Sequence, residues 1–268
     1  MGEIVSVFAC SHAPQLITRP EISTEYVEKV REVQAGIKDI GSRLKRAKPD
    51  VVVIIGADHL EAFFFDNYPM ILIPVCSRTG GEMAGHTYEY EIDEKLAKLL
   101  LFKLIDEDFD VSFSQKFKLY HPYYSPLRWI EEEFKSPILP IHINSNVPPL
   151  ISMRRSHKLG RSIRKIVERD APDDLRVAVI GTGGLSHFPG TPYYGKVDVE
   201  FDNRVLKLIE NGKVDELLAI SDEELQGSGN LELRTWVCAL GAAKEGSGTV
   251  LLHVPTFHID YSAVEFEV

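Results

Sequence analysis

Cysteine is scarce in this sequence of 268 residues, and long hydrophobic runs are absent. The three cysteines are odd in number and form no CxxC pair, which favours a reduced, cytoplasmic setting over a disulfide framework. The most apolar stretches, residues 51–55 and 70–76, are far shorter than the roughly 20 residues that a membrane-spanning helix needs. No basic segment precedes the first apolar run, so no signal peptide is predicted. We therefore expect no membrane partner.

Positive charge is also in deficit. Lys and Arg number 30 against 40 Asp and Glu, which gives a net charge of −10. Proteins that bind nucleic acid through its phosphates need the opposite balance, so we expect no nucleic-acid partner. The hydrophobic fraction of 44% is sufficient for a large core. No repeat and no Gly/Ser-rich linker divides the chain, so we predict a single domain over residues 1–268.

Strand-like and helix-like segments alternate along the chain. Residues 51–55 and 176–180 are uninterrupted apolar runs, as in strands covered on both faces. Ser23 is placed as the N-cap of a long helix, because apolar residues recur at helical spacing over residues 30–44. The alternation predicts an α/β fold, a single-domain sandwich with a largely parallel or mixed central sheet flanked by helices. The remaining predicted strands are residues 4–9, 70–75, 137–143 and 249–253, the last strand of the chain, and the remaining predicted helices are 93–106, 159–167, 201–209 and 231–243.

Three of the nine histidines follow predicted strands. His12, His59 and His187 come after the strands at residues 4–9, 51–55 and 176–180, each behind small residues that allow a sharp turn. Ligands of open α/β sheets bind at the carboxyl ends of the strands. We therefore expect these three side chains to belong to a functional site. His121 lies in an aromatic, proline-rich segment, residues 120–126, which we expect to be a loop. The glycines between residues 181 and 184 fit neither phosphate-binding motif and are interpreted as turn glycines.

Glu232 is a local inconsistency in the sequence. It lies in residues 231–240, which are apolar nearly all round and predict a buried helix. A carboxylate there is costly unless it is paired or coordinated. It could instead be an acid of the first helical turn, favoured by the helix dipole, or the partner of Arg234.

Two imidazoles and one carboxylate suit two different metals. They form the facial triad of non-haem Fe(II) oxygenases, and the same set binds catalytic zinc, which activates water for hydrolysis. The spacing in the sequence does not choose between Fe(II), Zn(II) and Mn(II). A zinc-dependent hydrolase therefore stays open, as does a non-catalytic interaction protein, because a fold does not fix a function.

Four short motifs occur in a characteristic order. They are Ser11-His12-Ala13-Pro14, Gly56-Ala57-Asp58-His59, Leu185-Ser186-His187 and Leu231-Glu232-Leu233-Arg234-Thr235-Trp236. In this order, across nearly the whole chain, they resemble the class III extradiol ring-cleavage dioxygenases, the LigB-like superfamily typified by the protocatechuate 4,5-dioxygenase β subunit. A metal-free, Memo-like interaction protein is the non-catalytic alternative within that superfamily.

The resemblance implies a role for each candidate residue. Fe(II) would be held by His12, His59 and Glu232, and His187 would be the catalytic acid/base that takes the substrate hydroxyl proton. His121 matches a second catalytic histidine of the family. The family pattern there is Asp-His-Gly, whereas this sequence has Tyr120 and Pro122 as neighbours.

The resemblance also implies the reaction and the partners. The enzyme would insert both atoms of O2 into a catechol-type or aminophenol-type aromatic and open the ring beside the diol. Related enzymes form dimers and some need a small accessory subunit, so a homo-oligomer with or without such a subunit is implied. Side chains of residues 120–126 and 255–261 are expected to contact the substrate ring.

Overall fold

The computed structural model describes residues 1–268 and contains ten strands and nine helices. No helix is both long and apolar enough to cross a bilayer. In chain order the elements are β1 (Glu3–Cys10), α1 (Gln15–Thr18), α2 (Thr24–Ala47), β2 (Val51–Gly56), β3 (Ile71–Pro74), β4 (Arg78–Met83), β5 (His86–Glu91), α3 (Glu94–Asp106), β6 (Ser112–Ser114), α4 (His121–Ile130), β7 (Ile138–Ile143), α5 (Met153–Asp170), β8 (Arg176–Thr182), α6 (Val199–Glu210), α7 (Val214–Leu218), α8 (Asp222–Ser228), α9 (Leu233–Ala242), β9 (Gly248–Pro255) and β10 (Asp260–Phe266).

Eight strands form one mixed central sheet. Their order is β6-β3-β7-β2-β8-β1-β10-β9. The four central strands β7, β2, β8 and β1 are parallel, whereas β3 pairs antiparallel with β7 and β10 pairs antiparallel with β1 and β9. Strands β4 and β5 form a separate hairpin. The predicted α/β sandwich with a mixed sheet is therefore confirmed.

The sheet is covered by helices on both faces. In β2, Val51, Val53 and Ile55 belong to the core beneath α3, α5, α6 and α9, whereas Val52 and Ile54 belong to the core beneath α2 and α4. Successive side chains of a strand point to opposite faces. An unbroken apolar run is therefore what a strand between two helical layers requires.

Local signals set the helix boundaries. The hydroxyl of Ser23 accepts the backbone N–H of Tyr26 at 3.1 Å and so caps α2, as predicted. Asp93 caps α3 in the same way through the N–H of Leu96, at 2.9 Å. Helix α9 packs closely on α5 because Gly160 has no side chain. A Cβ atom there would lie 1.8 Å from the carbonyl oxygen of Cys238.

Two sequence expectations about the elements were wrong. The strand at residues 249–253 is not the last, because β10 follows it and inserts between β9 and β1. Its segment carries buried polar residues such as Asp260 and Ser262, which hide the apolar pattern of a strand. Residues 120–126 are not a loop, because most of them form the first turns of α4.

Two prolines are accommodated in α4 for identifiable reasons. Pro122 lies in the first turn, where its missing N–H would have no helical partner. Pro126 cannot donate to the carbonyl of Pro122, and the hydroxyl of Thr182 donates to that oxygen instead, at 2.7 Å. A side chain from β8 thus replaces the missing helical hydrogen bond and fixes His121, the first residue of α4, against the sheet.

Candidate metal centre

Five candidate residues meet at one end of the central sheet. His12 follows β1, His59 follows β2 and His187 follows β8, and these three strands are adjacent in the sheet. His121 begins α4, and Glu232 immediately precedes α9. Every site residue that the sequence predicted therefore faces the same place, the carboxyl edge of the parallel strands.

Three ligand-type atoms lie almost in contact. Nε2 of His12 is 3.2 Å from Oε2 of Glu232, and Nε2 of His59 is 2.6 Å from Oε1. The two imidazole nitrogens are 3.3 Å apart. Metal bonds to nitrogen and oxygen ligands are about 2.0–2.2 Å long. One ion can therefore contact all three atoms with little movement of the side chains.

The hydrogen bonds of His12 leave its Nε2 free to ligate a metal. Nδ1 lies 3.2 Å from Oγ1 of Thr182, whose own hydrogen is donated to the carbonyl of Pro122. The hydroxyl can therefore only accept from the ring, so Nδ1 of His12 carries the hydrogen. In the neutral imidazole, Nε2 then presents its lone pair to Glu232 and His59. A cation among these atoms would relieve the repulsion between them.

The loop that carries His59 is fixed by Asp58. The buried Asp58 carboxylate accepts the backbone N–H groups of Glu61, Ala62 and Phe63, at 3.2, 2.9 and 3.2 Å. The carbonyl of Asp58 accepts the hydroxyl of Tyr68 at 2.7 Å. Because the residue directly before His59 is held in this way, the imidazole has little freedom to leave the site.

Glu232 is held by contacts that bring α9 close to β8. Its Oε2 accepts the backbone N–H of Gly184 at 3.0 Å, and its Oε1 accepts the side-chain amide of Asn146 at 3.3 Å. A Cβ atom at Gly183 would lie 2.9 Å from Cβ of Glu232. Neither Gly183 nor Gly184 has a positive φ. These glycines therefore permit close approach, and the turn-glycine interpretation was wrong.

The structural alternatives for Glu232 are not observed. Arg234 pairs with Asp222 at 2.5 Å and donates to the carbonyl of Ile151 at 2.7 Å, so it does not neutralise Glu232. The Glu232 side chain makes no capping hydrogen bond to α9. Its carboxylate is buried and its charged contacts are with histidines.

The charges in this cluster are strongly coupled. Burial acts to raise the pKa of Glu232, but His12 and His59 outweigh it and hold that pKa well below its usual range. Burial lowers the pKa of His12. It acts in the same direction on His59, but the Glu232 carboxylate outweighs it and raises the pKa of His59. The centre therefore keeps a buried negative charge with neighbouring imidazoles, which is the electrostatic environment that a divalent cation requires.

His187 and His121 flank this cluster. Nε2 of His187 lies 3.7 Å from Oε2 of Glu232. Its Nδ1 lies 2.9 Å from the carbonyl oxygen of Leu185, so Nδ1 donates and Nε2 carries the lone pair in the neutral ring. Nδ1 of His121 lies 2.6 Å from Oε2 of Glu61. Burial lowers the pKa of His121 to about 4 and also lowers the pKa of His187.

Two sets of three ligands share His12 and His59. In one set the third ligand is Glu232, and in the other it is His121, whose ligand atom lies within 4.8 Å of those of the two histidines. Glu232 is closer to both histidines, at 2.6 and 3.2 Å, and it supplies the negative charge. His121 is already engaged by Glu61. The geometry therefore favours Glu232 as the third ligand.

A cavity of about 1160 Å3 opens onto these residues. Of the two segments that the sequence predicted at the substrate ring, residues 120–126 contribute His121 and residues 255–261 contribute His258 and Ile259. Tyr124 is stacked on Tyr88 at 3.5 Å between ring centroids, outside the cavity wall. Much of the wall comes from residues 188–196, which sequence reasoning missed.

Asn146 was also missed, although a signal for it exists. It follows β7, which neighbours β2 in the sheet. Its amide donates both to Glu232 and to the carbonyl of Asp58, at 3.3 and 3.1 Å. The rule that placed the histidines at strand ends applies equally to this residue. Asn146 was not among the predicted site residues because an amide is not a typical metal ligand.

A buried carboxylate lies behind the site. Asp202 accepts the backbone N–H of Ser186 at 3.2 Å, the hydroxyl of Ser186 and the amide of Asn230 at 2.8 Å. Ser186 precedes His187, and Asn230 lies two residues before Glu232. Asp202 therefore ties together the two segments that carry these site residues.

The stability of the protein is expected to depend on the ionisation of Asp202. Burial and the neighbouring Asp260 raise the pKa of Asp202 from 3.8 to about 7. The folded state thus retains a proton that the unfolded chain loses above about pH 4. The resulting stabilisation is complete below that pH and is lost as the pH rises through 7. We expect it to amount to a few kcal/mol, on the order of 1–4.

Denaturant unfolding between pH 4 and pH 8 measures this effect. Replacing Asp202→Asn should flatten the pH dependence of the free energy of unfolding relative to the unsubstituted protein. Asp260 also hydrogen-bonds His253 at 2.8 Å and raises the pKa of His253, which adds a contribution of the same sign. His253→Gln is therefore the matched control, which removes only that part. Equal slopes for Asp202→Asn and the unsubstituted protein would refute this role of Asp202.

The sequence also matches a family of known proteins. Residues 6–263 match the family model described as the catalytic LigB subunit of aromatic ring-opening dioxygenase. A 2,3-dihydroxyphenylpropionate/2,3-dihydroxicinnamic acid 1,2-dioxygenase of Klebsiella pneumoniae (strain 342) is 26% identical over 259 residues, which cover 79% of this chain and 82% of the relative. The enzyme of the same name from Escherichia coli (strain 55989 / EAEC) is 25% identical over 280 residues, which cover 87% of each chain.

A solved structure of another protein shares the fold. The crystal structure of an uncharacterized protein, JW3007, from Escherichia coli K12 superposes with a TM-score of 0.64 at 14% sequence identity, over 98% of this chain and 99% of that one. At this identity the likeness concerns the architecture alone.

Proposed function

Because this chain belongs to the family of catalytic LigB subunits of aromatic ring-opening dioxygenases, we propose that it is an Fe(II)-dependent extradiol dioxygenase for a catechol-type or aminophenol-type aromatic. The observation that carries the proposal is the contact of His12, His59 and Glu232, with ligand atoms 2.6–3.3 Å apart at the wall of a large cavity. Residues 1–268 are proposed to form one catalytic domain.

Two neutral imidazoles and one carboxylate fit ferrous iron. They are the ligands of the facial triad, which leaves coordination positions open for a second ligand and O2. Bound Fe(II) would supply those positions and a path for electrons from the aromatic ring to O2. The relatives that share the family are named as dioxygenases of 2,3-dihydroxy aromatic acids, and this supports iron over zinc in the present chain.

His187 is proposed as the base that takes a proton from the substrate. Its Nδ1 is committed to the carbonyl of Leu185, so Nε2 is available as an acceptor beside Glu232, 3.7 Å away. Burial favours the neutral ring, which is the form that accepts a proton. Once protonated, the same nitrogen can return the proton later in the reaction.

His121 is proposed as the second proton-transfer group. Its ring centroid lies 4.7 Å from that of His59 and 5.5 Å from that of His12. Because Nδ1 faces Glu61 at 2.6 Å, the ring has one nitrogen left for the cavity. Glu61 takes the orienting role that a histidine at an active site usually requires.

Oxygen uptake tests the proposed reaction. The protein is loaded with Fe(II) under anaerobic conditions and then exposed to O2 with a panel of catechols and aminophenols. We expect consumption of one O2 per substrate and, by mass spectrometry, a ring-opened product that carries two atoms of isotopically labelled O2. The Zn(II)-loaded protein is the matched control and should consume none. Absence of oxygen uptake by the iron form would contradict the proposed reaction. Hydrolysis of an ester or amide by the zinc form would then identify a hydrolase instead.

A further inference from the structure

His258 is a buried histidine in the cavity wall that the proposed chemistry does not use. Its side chain is 2% exposed, and it lies between β9 and β10, outside the group of metal-ligand candidates. Its Nε2 is buried without a hydrogen-bond partner in the protein. Leaving a buried polar atom unpaired is unfavourable. An unpaired nitrogen in the wall of a binding cavity therefore points to a partner on the ligand.

The position of His258 is fixed relative to His187. The backbone of Ile259 pairs with that of His187 in an isolated bridge. Asp260 reinforces this pairing, since its N–H donates to the carbonyl of Ser186 at 3.1 Å. The short segment that carries His258 is thus attached to the segment that carries the proposed base. His187 and His258 both line the cavity. A substrate whose hydroxyl reaches His187 would therefore place another part of its ring beside His258.

Aromatic rings hold the imidazole of His258 on several sides. The ring centroids of Phe257, Tyr26 and Tyr194 lie 4.2, 5.5 and 5.6 Å from that of His258. The ring therefore has little rotational freedom, and a fixed nitrogen can select a ligand by the position of its partner atom.

The second ring nitrogen determines what Nε2 can bind. Nδ1 lies 3.5 Å from the hydroxyl oxygen of Thr256. That hydroxyl donates its hydrogen to the carbonyl of Ile259, at 2.8 Å, so it can only accept from the imidazole. Nδ1 therefore carries the hydrogen in the neutral ring, and Nε2 presents a lone pair. Burial, with a smaller effect of His187, lowers the pKa of His258 and favours this neutral form.

We propose that His258 is a specificity-determining residue, whose Nε2 accepts a hydrogen bond from a donor substituent on the aromatic ring, such as a hydroxymethyl, amino or amide group. This assignment rests on the proposed function of the site and adds the chemical class of the ring substituent. A catechol with a hydrogen-bond donor pairs the buried nitrogen, whereas a catechol with an apolar group of similar size leaves it unpaired. A carboxylate substituent would be recognised differently, by Lys196 in the same cavity.

Matched substrates and variants test this assignment. Three catechols that carry a hydroxymethyl, an ethyl or a carboxylate group at the same ring position are compared by KM and kcat. We expect the unsubstituted protein to bind the hydroxymethyl compound roughly tenfold better than the ethyl compound, the worth of about one hydrogen bond. His258→Phe should abolish that preference through KM, with little change in kcat. His258→Asn, which retains an acceptor, should restore part of it.

A control and a direct binding measurement separate the possible failures. His86→Phe replaces an exposed histidine of the β4–β5 hairpin and should leave the preference unchanged. Anaerobic calorimetry of the metal-loaded protein measures Kd for the same three compounds without turnover. In one outcome the unsubstituted protein shows the preference for the hydroxymethyl compound in Kd, and His258→Phe abolishes it, while neither protein consumes oxygen. That result would uphold the role of His258 and refute the proposed reaction.

Three other results would overturn the assignment. The first is normal oxygen uptake with a preference that His258→Phe leaves intact. The second is an equal loss of affinity for all three compounds in His258→Phe. The third is tighter binding of the carboxylate compound that depends on His258, which would make this residue an anion receptor.

Discussion

Replacing Glu232→Ala is expected to remove bound iron and oxygen-consuming activity together. The carboxylate is one of three ligand atoms that lie 2.6–3.3 Å apart, and it is the only one of the three that carries negative charge. Its loss leaves two neutral imidazoles and no negative charge in a buried site, so a divalent cation should bind much more weakly. We expect the iron content after anaerobic loading to fall by more than about tenfold. Metal analysis and an oxygen electrode provide the two measurements.

Companion variants separate ligation from folding. Glu232→Gln has nearly the same shape and can keep the contact to the backbone N–H of Gly184 through its one oxygen, so it should fold and still lose iron. Glu223→Ala removes an exposed acid of α8 and should retain both iron and activity. His121→Ala should keep its iron. If His121→Ala lost iron while Glu232→Gln kept it, the third ligand would be His121.

Replacing His187→Ala is expected to abolish turnover while iron stays bound. The imidazole lies 3.7 Å from the carboxylate of Glu232, and it is proposed to move protons rather than to ligate the metal. General acid–base catalysis contributes roughly 10²–10⁴-fold to a rate, so kcat should fall by about that factor. The iron content of the variant should match that of the unsubstituted protein.

The matched control for His187 is His86→Ala, which removes an exposed histidine that does not line the cavity. It should leave kcat and iron content unchanged. Full turnover in His187→Ala would show that another group, for which His121 is the nearest candidate, takes the substrate proton. Loss of iron in His187→Ala would instead place this residue among the ligands.

Much of the site could be predicted because two physical rules act locally. The end of a buried parallel strand must turn, and the side chains in that turn face the ligand edge of the sheet, which located His12, His59 and His187. A carboxylate in an apolar helix-forming segment needs a charged partner, which located Glu232. The structure shows what the rules could not: which residue holds each side chain, such as Thr182 for His12.

Other features depend on contacts between distant segments. Strand β10 pairs with a neighbouring strand on each edge, and this pairing stabilises it although several of its buried residues are polar. The same polar residues hide the apolar pattern by which a strand is recognised in the sequence. Pro126 interrupts the hydrogen bonds of α4, and only the hydroxyl of Thr182, 56 positions away, compensates for it. Asp202 resembles an ordinary acid on an amphipathic helix until Ser186 and Asn230 are placed beside it.

Substrate contacts were the least predictable part. The segment at residues 188–196 has no regular structure and no apolar period, yet it supplies much of the cavity wall. Tyr123 and Tyr124, which the sequence placed near the substrate, are buried in the packing of α4. A side chain on a turn of helix can face the core or the cavity, and only the packing of that helix decides between them.

Anomalous diffraction at the iron absorption edge, from crystals grown anaerobically with Fe(II), tests the central claim most directly. The account predicts a single strong peak within bonding distance of Nε2 of His12, Nε2 of His59 and a carboxylate oxygen of Glu232, with His187 close by but not bound. A peak coordinated by the three histidines 12, 59 and 121 without Glu232, or no peak at this edge of the sheet, would contradict it.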